Sequence, residues 1–319
     1  MIYINTKRLY FKCLDYFVSY FLMMKLFITT SGAVYSEIQH NQESTKPLFQ
    51  FGIFADAQFA NKNTVGKRNY SLGDDKLKEC IAELNQQQIE FNVNLGDLID
   101  GNGFNSLKEL KQMLTICQES RAPIKHVIGN HCLEVDENSL LRELGLTESY
   151  YAFSYSGWLF VILNSMEVSI KSPHNSVRSQ EAKKINEKIR GLPSYNGALG
   201  KKQIAWLKDQ LEGAEHTKAK VVIFCHQPVH VAASNVAHIL WDSQEVLNLL
   251  NQYTAVKVWM NGHDHAGGYT FDKGIHHITF PGMVETVPGN NCYAIVQVFS
   301  DRLKIKGRGT MRSMNLLCQ

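Results

Sequence analysis

Residues 49–58 read FQFGIFADAQ, and the apolar part of this stretch predicts a strand that is buried on both faces. An acid and an amide, Asp56 and Gln58, follow the strand directly. Polar residues at the end of a strand are also typical of a solvated loop. The stretch therefore indicates a functional site only if other segments bring similar groups to the same place.

Two further strands follow, with a helix before each of them. The strands are FNVNLGD (91–97) and IKHVIGN (124–130), and apolar residues at helical spacing predict helices over 76–88 and 106–120. Ser106 stands where a cap of the second helix is expected. This βαβαβ rhythm predicts mostly parallel strands flanked by helices.

The rest of the chain continues the alternation less regularly. The predicted elements are a hairpin over 150–165 with a Ser-Gly turn, a polar insertion over 171–200 containing one helix, helices over 201–212 and 243–251, the strands VVIFCH (221–226) and VKVWMNGH (256–263), and the short strands in GGYTF, HHITF, NCYAIVQVF and LKIKG. We expect one mixed α/β domain over 47–312, an N-terminal extension (1–46) and a C-terminal tail (313–319).

The composition is that of an ordinary globular protein. The chain has 319 residues, 44% of them hydrophobic and 20% charged, and its formal charge of +3 is too small to imply binding to nucleic acid or to a membrane surface. The cysteine count is odd, at seven, and no CxxC pair occurs, which favours a reducing compartment over a disulfide framework. Cys225 lies within the apolar VVIFCH and is expected to be a buried thiol.

The first 46 residues loosely resemble a secretory signal peptide, because basic residues precede an apolar stretch and then small residues. Asp15 and Lys25 interrupt that stretch, and Met23 or Met24 could be the true start. We therefore favour a cytoplasmic location and leave export open.

Polar groups recur at the carboxyl ends of the predicted strands. They are Asp56, Gln58, Asp97, Asn130, His131, His226, His263 and His265. Ligands bind outside the carboxyl ends of the strands in open α/β sheets, so five segments bring oxygen and nitrogen donors to one edge. Donors of this kind suit a divalent metal such as Mn²⁺.

The order of these motifs, D-x-Q, GDLID, GNH, His226 and GHDH, resembles the calcineurin-like metallophosphoesterase superfamily over residues 50–300. This resemblance implies a four-layer α-β-β-α sandwich with mixed sheets. Gln58 in place of a histidine, followed by GHDHAGGY and PGMVETVPGN, is similar to the manganese-dependent ADP-ribose/CDP-alcohol diphosphatase group. Cys132 departs from many relatives, which carry an acid there, and we have no physical account of it.

The resemblance implies two divalent metal ions bridged by Asp97. It implies that the first site is completed by Asp56, Gln58 and His265, and the second by Asn130, His226 and His263. The amide oxygen of Gln58 suits Mn²⁺ or Mg²⁺ better than Zn²⁺ or iron. In the alternative, Gln58 only forms a hydrogen bond to a metal ligand.

His131 is the predicted catalytic residue, which would protonate the leaving oxygen or stabilise the transition state, and its alternative role is to orient a ligand. Asp100 is expected to orient a ligand or cap its loop, and Asp264 to be solvated. Five side chains near these motifs are candidates for substrate binding: Phe59, Arg68, Tyr70, Phe104 and His230.

The leading functional hypothesis is hydrolysis of the phosphoanhydride bond in nucleoside diphosphate compounds, such as ADP-ribose, CDP-choline and CDP-glycerol. A phosphomonoesterase or a cyclic nucleotide phosphodiesterase on the same scaffold is the alternative, because motif and metals do not select the ester. A non-catalytic interaction protein is a second alternative. The expected partner is a small nucleotide-type substrate, with no nucleic acid and no obligatory protein partner, and we expect a monomer.

Overall fold

The computed structural model describes residues 46–189 and 193–319. The predictions made for the N-terminal segment up to residue 45, including the signal-like pattern, lie outside these residues. Pro47–Gln319 form one compact unit. Among the described residues, no helix has the length and apolar character needed to cross a bilayer.

Twelve strands in the described residues form two six-stranded sheets, and six α-helices accompany them. The strands are β1 Phe49–Phe54, β2 Phe91–Asn94, β3 Ile124–His126, β4 Tyr151–Tyr155, β5 Trp158–Ile162, β6 Lys220–Phe224, β7 Val256–Asn261, β8 Gly268–Asp272, β9 Ile275–Thr279, β10 Cys292–Val298, β11 Arg302–Gly309 and β12 Met314–Leu317. The helices are α1 Gly73–Leu84, α2 Ser106–Cys117, α3 Glu137–Glu143, α4 Val177–Lys188, α5 Gly200–Thr217 and α6 Ser243–Leu250.

Both sheets are mixed. The first has the order β12-β11-β10-β1-β2-β3, and the second has the order β4-β5-β6-β7-β9-β8. Strands β1, β2 and β3 are parallel, which confirms the predicted βαβαβ start. Strands β4 and β5 form the predicted antiparallel hairpin, with Ser156 and Gly157 of its turn at φ 46° and 79°. Positive φ at both central turn residues matches the twist of a two-residue hairpin.

The two sheets pack face to face and carry helices on their outer faces. Aromatic side chains fill the space between the sheets, where the ring of Phe51 stacks on Phe91 at 5.0 Å and meets Phe224 edge-on at 5.8 Å. Leu77 of α1 packs in the core on the outer face of the first sheet, and Leu207 of α5 does so on the second. The predicted four-layer α-β-β-α sandwich is confirmed.

The local predictions need three corrections. Residues 313–319, expected as a tail, include β12, which pairs antiparallel with β11. Alternate residues of this segment, Leu316 and Cys318, are buried, which explains why it joins the sheet. Ser106 does not cap its helix, because its hydroxyl accepts a hydrogen bond from the backbone N–H of Asn102. The short helix α3 was not predicted, and the Asp136 carboxylate caps it by accepting the Ser139 N–H.

Candidate metal centre

The seven predicted ligands lie at the carboxyl ends of five strands. Asp56 and Gln58 follow β1, Asp97 follows β2, and Asn130 follows β3. The histidines come from the second sheet, where His226 follows β6 while His263 and His265 follow β7. The centre therefore lies where the carboxyl ends of the two sheets meet, as expected for parallel strands.

One group of ligand atoms surrounds His226. Its Nε2 lies 3.0 Å from Asp97 Oδ2, 3.1 Å from Asn130 Oδ1 and 3.2 Å from His263 Nδ1. Ligand atoms of Asp97, His226 and His263 all lie within 4.8 Å of one another, and all three residues are buried. This is the spacing expected of donors that share one cation.

A second group surrounds His265. Its Nε2 lies 3.5 Å from Asp56 Oδ1 and 3.2 Å from the side-chain nitrogen of Gln58. The two groups are joined through the backbone, because the N–H of His263 donates to Asp56 Oδ2 at 3.0 Å. The structure thus brings together Asp56, Gln58 and His265 in one group, and Asp97, Asn130, His226 and His263 in the other.

Three buried oxygen atoms in this region have no hydrogen-bond partner among the described residues while the ligand histidines are neutral, although His226 Nε2 lies 3.0 Å from one of them, Asp97 Oδ2. They are Asp56 Oδ1, Gln58 Oε1 and Asp97 Oδ2, and each parent residue is at most 2% exposed. An unsatisfied buried polar group costs about 1–3 kcal/mol, and more when it is charged. Three such oxygens beside imidazole nitrogens fit divalent cations, which would satisfy all of them.

Each ligand histidine has its other ring nitrogen fixed by a hydrogen bond. The Nδ1–H of His226 donates to the Leu95 carbonyl at 2.9 Å, and the Nε2–H of His263 donates to Asn196 Oδ1 at 2.8 Å. In His265, Nδ1–H donates to Glu285 Oε1 at 3.0 Å. These contacts select the tautomer that leaves the opposite nitrogen facing the centre with its lone pair available.

The backbone is strained at four of the ligands. Asp56, Gln58, Asp97 and His263 have φ values of 53°, 41°, 51° and 69°. Non-glycine residues rarely adopt this left-handed region, and each costs about 1–3 kcal/mol. Strain at four of the seven ligands indicates that side-chain placement is favoured over local stability at this edge.

Glycines in the motifs allow close packing against the carboxylates. A Cβ on Gly129 would lie 2.1 Å from Asp97 Oδ1, and a Cβ on Gly262 would lie 2.4 Å from Asp56 Oδ2. Any larger residue at either position would displace the carboxylate. The glycines of GNH and GHDH are therefore part of the ligand geometry.

The electrostatics follow from burial of opposite charges. Burial alone would lower the pKa of His226, but the Asp97 carboxylate raises it to about 9. Burial opposes ionisation of Asp97, yet His226 and His131 hold the pKa of that carboxyl below its usual range. Burial and the neighbouring His226 lower the pKa of His263. In the metal-free centre a proton on His226 Nε2 therefore faces the ionised Asp97, and a bound divalent cation would take the place of that proton.

Comparison of the sequence with known protein families identifies the family of this chain. The sequence profile of the calcineurin-like phosphoesterases matches residues 49–267, which are more than half of the chain and contain all seven predicted ligands. The chain belongs to this family.

Relatives of known name align with nearly the whole domain. A manganese-dependent ADP-ribose/CDP-alcohol diphosphatase of Arabidopsis thaliana is 30% identical over 300 residues, which are 84% of this chain and 96% of that protein. The human protein of the same name is 27% identical over 322 residues, with 86% and 94% coverage. A crystal structure of a dimetal phosphatase from Danio rerio superposes with a TM-score of 0.79 at 26% identity, covering 86% of this chain and 100% of that one.

In this member of the calcineurin-like phosphoesterases, His131 lies against the central carboxylate. Its backbone N–H donates to Asp97 Oδ1 at 2.9 Å, and its Nδ1–H donates to the Asp100 carbonyl at 2.5 Å. The Nε2 of the ring is left for another partner, and the side chain is 26% exposed. The Asp100 carboxylate pairs with Lys62, so it holds the loop after GDLID.

The five predicted substrate contacts lie in different surroundings. Phe59 is 5% exposed within the core beneath α1, so its ring is not available to stack on a base, and Tyr70 is equally buried. Phe104 is fully exposed. His230 lies 3.5 Å from Asp272 rather than beside a ligand. Arg68 is linked to a ligand histidine, because its Nε lies 3.7 Å from Glu285 Oε1, which accepts the Nδ1–H of His265.

Sequence reasoning missed four residues of the centre. Asn196 and Glu285 orient ligand histidines, while the rings of Tyr195 and His238 lie 5.6 Å and 5.1 Å from that of His263. Glu285 lies in PGMVETVPGN, one of the motifs that resemble the diphosphatase group, so that motif was the available signal. Asn196 and Tyr195 lie in the polar insertion, where no pattern singled them out.

Asp264 needs a correction. It was expected to be solvated, but it is 6% exposed and its Oδ2 accepts hydrogen bonds at 2.8 Å from the Ser234 hydroxyl and the Asn235 N–H. The left-handed backbone of His263 breaks the alternation of an extended strand, so the next side chain turns inward. Asp264 therefore holds the loop that carries His238.

Proposed function

We propose that this chain is a manganese-dependent hydrolase of nucleoside diphosphate compounds. It would cleave the phosphoanhydride bond of ADP-ribose or of CDP-alcohols, such as CDP-choline and CDP-glycerol, to a nucleoside monophosphate and a phosphorylated alcohol. The observation that carries the proposal is the convergence of seven predicted ligands around three unpartnered buried oxygens, one of which belongs to Gln58. The names of the relatives supply the substrate class.

In this proposal Asp97 holds both ions. Asp56, Gln58 and His265 complete one site, and Asn130, His226 and His263 complete the other. The first site then has three oxygen ligands and one nitrogen, a donor set that suits Mn²⁺ or Mg²⁺ better than Zn²⁺ or iron. The unpartnered Oε1 of Gln58 supports its role as a ligand, whereas its amide nitrogen, 3.2 Å from His265 Nε2, makes the contact expected of a hydrogen-bonding neighbour.

The net charge of the proposed metal centre favours binding of a phosphate group. Only two of the seven ligands, Asp56 and Asp97, are carboxylates, so two divalent ions would retain about two surplus positive charges. When bound, the ions would neutralise phosphoryl oxygens and activate the attacking water. The protein contributes the fixed positions of its donors, which need no rearrangement as charge develops.

His131 is the proposed proton donor. Because its Nδ1–H is held by the Asp100 carbonyl, Nε2 is the atom that can carry a proton to the leaving phosphate oxygen. The hydrogen bond from its backbone to Asp97 keeps the ring next to the ligand that both ions share. The role requires the cationic imidazole, which becomes neutral after protonating the leaving group.

In this proposal the nucleoside binds beside His263. The ring of Tyr195 is 39% exposed and lies 5.6 Å from both His238 and His263. A partly exposed aromatic ring next to a phosphate-binding centre offers a stacking surface for a base or a ribose. We therefore assign the stacking role, which the sequence had suggested for Phe59 and Tyr70, to Tyr195 and His238.

We also infer that the chain is a monomer and that it resides in a reducing compartment, the cytoplasm. The six described cysteines are buried free thiols: Cys80, Cys117, Cys132, Cys225, Cys292 and Cys318. Light scattering during size-exclusion chromatography would give a mass near 36.2 kDa if the chain is monomeric. A mass of twice that value would contradict the inference.

The test is a substrate panel on metal-stripped protein to which Mn²⁺, Mg²⁺ or Zn²⁺ is returned separately. The panel contains ADP-ribose, CDP-choline, cyclic AMP and a chromogenic phosphomonoester. We expect Mn²⁺-dependent release of AMP from ADP-ribose and of CMP from CDP-choline. Turnover of the monoester or the cyclic nucleotide alone would contradict the proposal.

Asp97→Asn is the matching variant. It should abolish turnover and leave the thermal unfolding transition in place, because the substitution keeps the size of the side chain. Asp209→Asn, an exposed acid on α5, is the control and should retain full activity. Undiminished turnover by Asp97→Asn would rule out the proposed centre.

A further inference from the structure

A cavity of about 680 Å³ adjoins the candidate metal centre on the side of His265. His265 and Glu285 line it, and they are the hydrogen-bonded pair whose other end reaches Asp56. Residues 310–316, from the C-terminal end of the chain, line it as well. Cavities of several hundred Å³ suit small molecules.

The C-terminal wall of this cavity is held firmly. A Cβ on Gly307 would lie 2.0 Å from the carbonyl oxygen of Met311, and one on Gly309 would lie 1.8 Å from that of Asn291. These close backbone contacts fix the turn between β11 and β12, which carries Arg312. A wall that is already ordered loses little entropy when a ligand binds.

The chemistry of the cavity favours a hydroxylated and negatively charged group. Lys67 and Arg312 line it, and in the described parts of the chain neither side-chain cation forms a hydrogen bond or a close ion pair. The one carboxylate in the wall, Glu285, is already bonded to His265. Tyr269 adds a ring that is 45% exposed, and further polar groups come from Thr310, Ser313 and Asn315.

We propose that this cavity holds the alcohol part of the substrate, the group across the diphosphate from the nucleoside. Lys67 and Arg312 then favour alcohols that carry negative charge and disfavour those that carry positive charge. The assignment rests on the proposed function. The nucleoside and the alcohol would then bind at separate places, because Tyr195 lies beside His263 whereas the cavity lies beside His265.

The kinetic test compares two substrates that share a nucleotide and differ in the charge of the alcohol. CDP-glycerol has a neutral alcohol and CDP-choline a cationic one. We expect Arg312→Gln to raise the ratio of kcat/KM for CDP-choline to that for CDP-glycerol by roughly threefold, as expected for removal of one exposed charge. Lys67→Gln should act in the same direction.

Arg142→Gln, which removes an exposed arginine of α3, is the control and should leave the ratio unchanged. An unchanged ratio in both Arg312→Gln and Lys67→Gln would overturn the inference. An equal loss on both cytidine substrates would also overturn it, because it would place the nucleoside in the cavity.

A binding measurement separates this inference from the proposed function. Calorimetry on manganese-loaded protein should show that Arg312→Gln weakens binding of ribose 5-phosphate by roughly threefold and leaves binding of AMP unchanged. If Arg312→Gln has that effect on binding but wild-type protein hydrolyses no diphosphate compound, the proposed function fails and the cavity assignment stands. If wild-type protein hydrolyses them and Arg312→Gln affects both products equally, the cavity assignment fails.

Discussion

The Nε2 of His263 lies 2.8 Å from Oδ1 of Asn196, a residue of the polar insertion 67 positions earlier in the chain. Asn196 is fully buried, and its amide nitrogen donates to the carbonyls of Ala237 and Ile239 at 2.8 Å and 3.1 Å. These donations fix the orientation of the amide, so that its oxygen must face His263. The insertion therefore helps to hold a metal-ligand histidine in one tautomer.

Asn196→Ala should weaken manganese binding at the second site. Loss of a group that orients a metal-bound histidine typically costs 10–100-fold in metal affinity or activity. We expect a rise of that size in the Mn²⁺ concentration needed for half-maximal activity and in the dissociation constant measured by calorimetry. Asn248→Ala, on an exposed face of α6, is the control, and equal Mn²⁺ affinity in the two variants would contradict the role of Asn196.

Glu285 should prove to be a positioning residue for His265. Glu285→Gln keeps a side-chain oxygen that can accept the Nδ1–H of His265, whereas Glu285→Ala removes it. We expect Glu285→Ala to weaken Mn²⁺ binding about tenfold or more, and Glu285→Gln to restore most of that affinity. If both variants lose affinity equally, the negative charge of Glu285 matters and the hydrogen bond does not.

Gln58→His should change the metal preference of the first site. The substitution replaces an amide oxygen by an imidazole nitrogen, which suits Zn²⁺ better. Histidine also tolerates the left-handed φ of 41° at this position better than most residues do. We expect the ratio of Zn²⁺-supported to Mn²⁺-supported activity to rise at least severalfold, and an unchanged ratio would place Gln58 outside the ligand set.

Asp242 should make the folded protein less stable as pH rises through mildly acidic values. Burial raises the pKa of its carboxyl from 3.8 to about 6, although the Gly200 N–H donates to Oδ2. Between these values the folded state holds a proton that the unfolded chain releases, so stability falls as pH rises from about 4 to 6. A shift of roughly two units corresponds to about 3 kcal/mol.

Asp242→Asn removes this titration. Its free energy of unfolding, measured by urea denaturation in EDTA, should increase relative to wild type by up to about 3 kcal/mol between pH 4 and 7. Asp209→Asn provides the control for an exposed acid. A difference between Asp242→Asn and wild type that does not vary with pH would contradict the effect of burial.

The placement of these polar residues at strand ends could be predicted because it depends on local sequence, whereas the choice of seven of them as ligands came from the resemblance to the metallophosphoesterase superfamily. A strand pattern places a residue such as Asp97 at the carboxyl edge, and parallel pairing brings several such edges together. The same reasoning could not find Asn196, because its contact with His263 depends on how a polar insertion folds back over the second sheet. No periodic pattern encodes a contact of that kind.

The wrong local predictions have physical causes. Strand alternation predicts that Asp264 points to solvent. The alternation ends at His263, because its φ is positive. Phe59 was expected over the centre, but it forms a parallel bridge with Ile99, and its ring lies in the core. Strand β12 is a short edge strand whose pairing depends on β11, so its four residues gave too little pattern of their own.

The most direct test of the account is a titration of metal-free protein with Mn²⁺ while ADP-ribose hydrolysis is followed. We predict that activity rises until two ions are bound per chain and that AMP and ribose 5-phosphate appear in equal amounts. Hydrolysis that does not depend on added metal, or a saturated protein that binds two ions and leaves ADP-ribose intact, would contradict it.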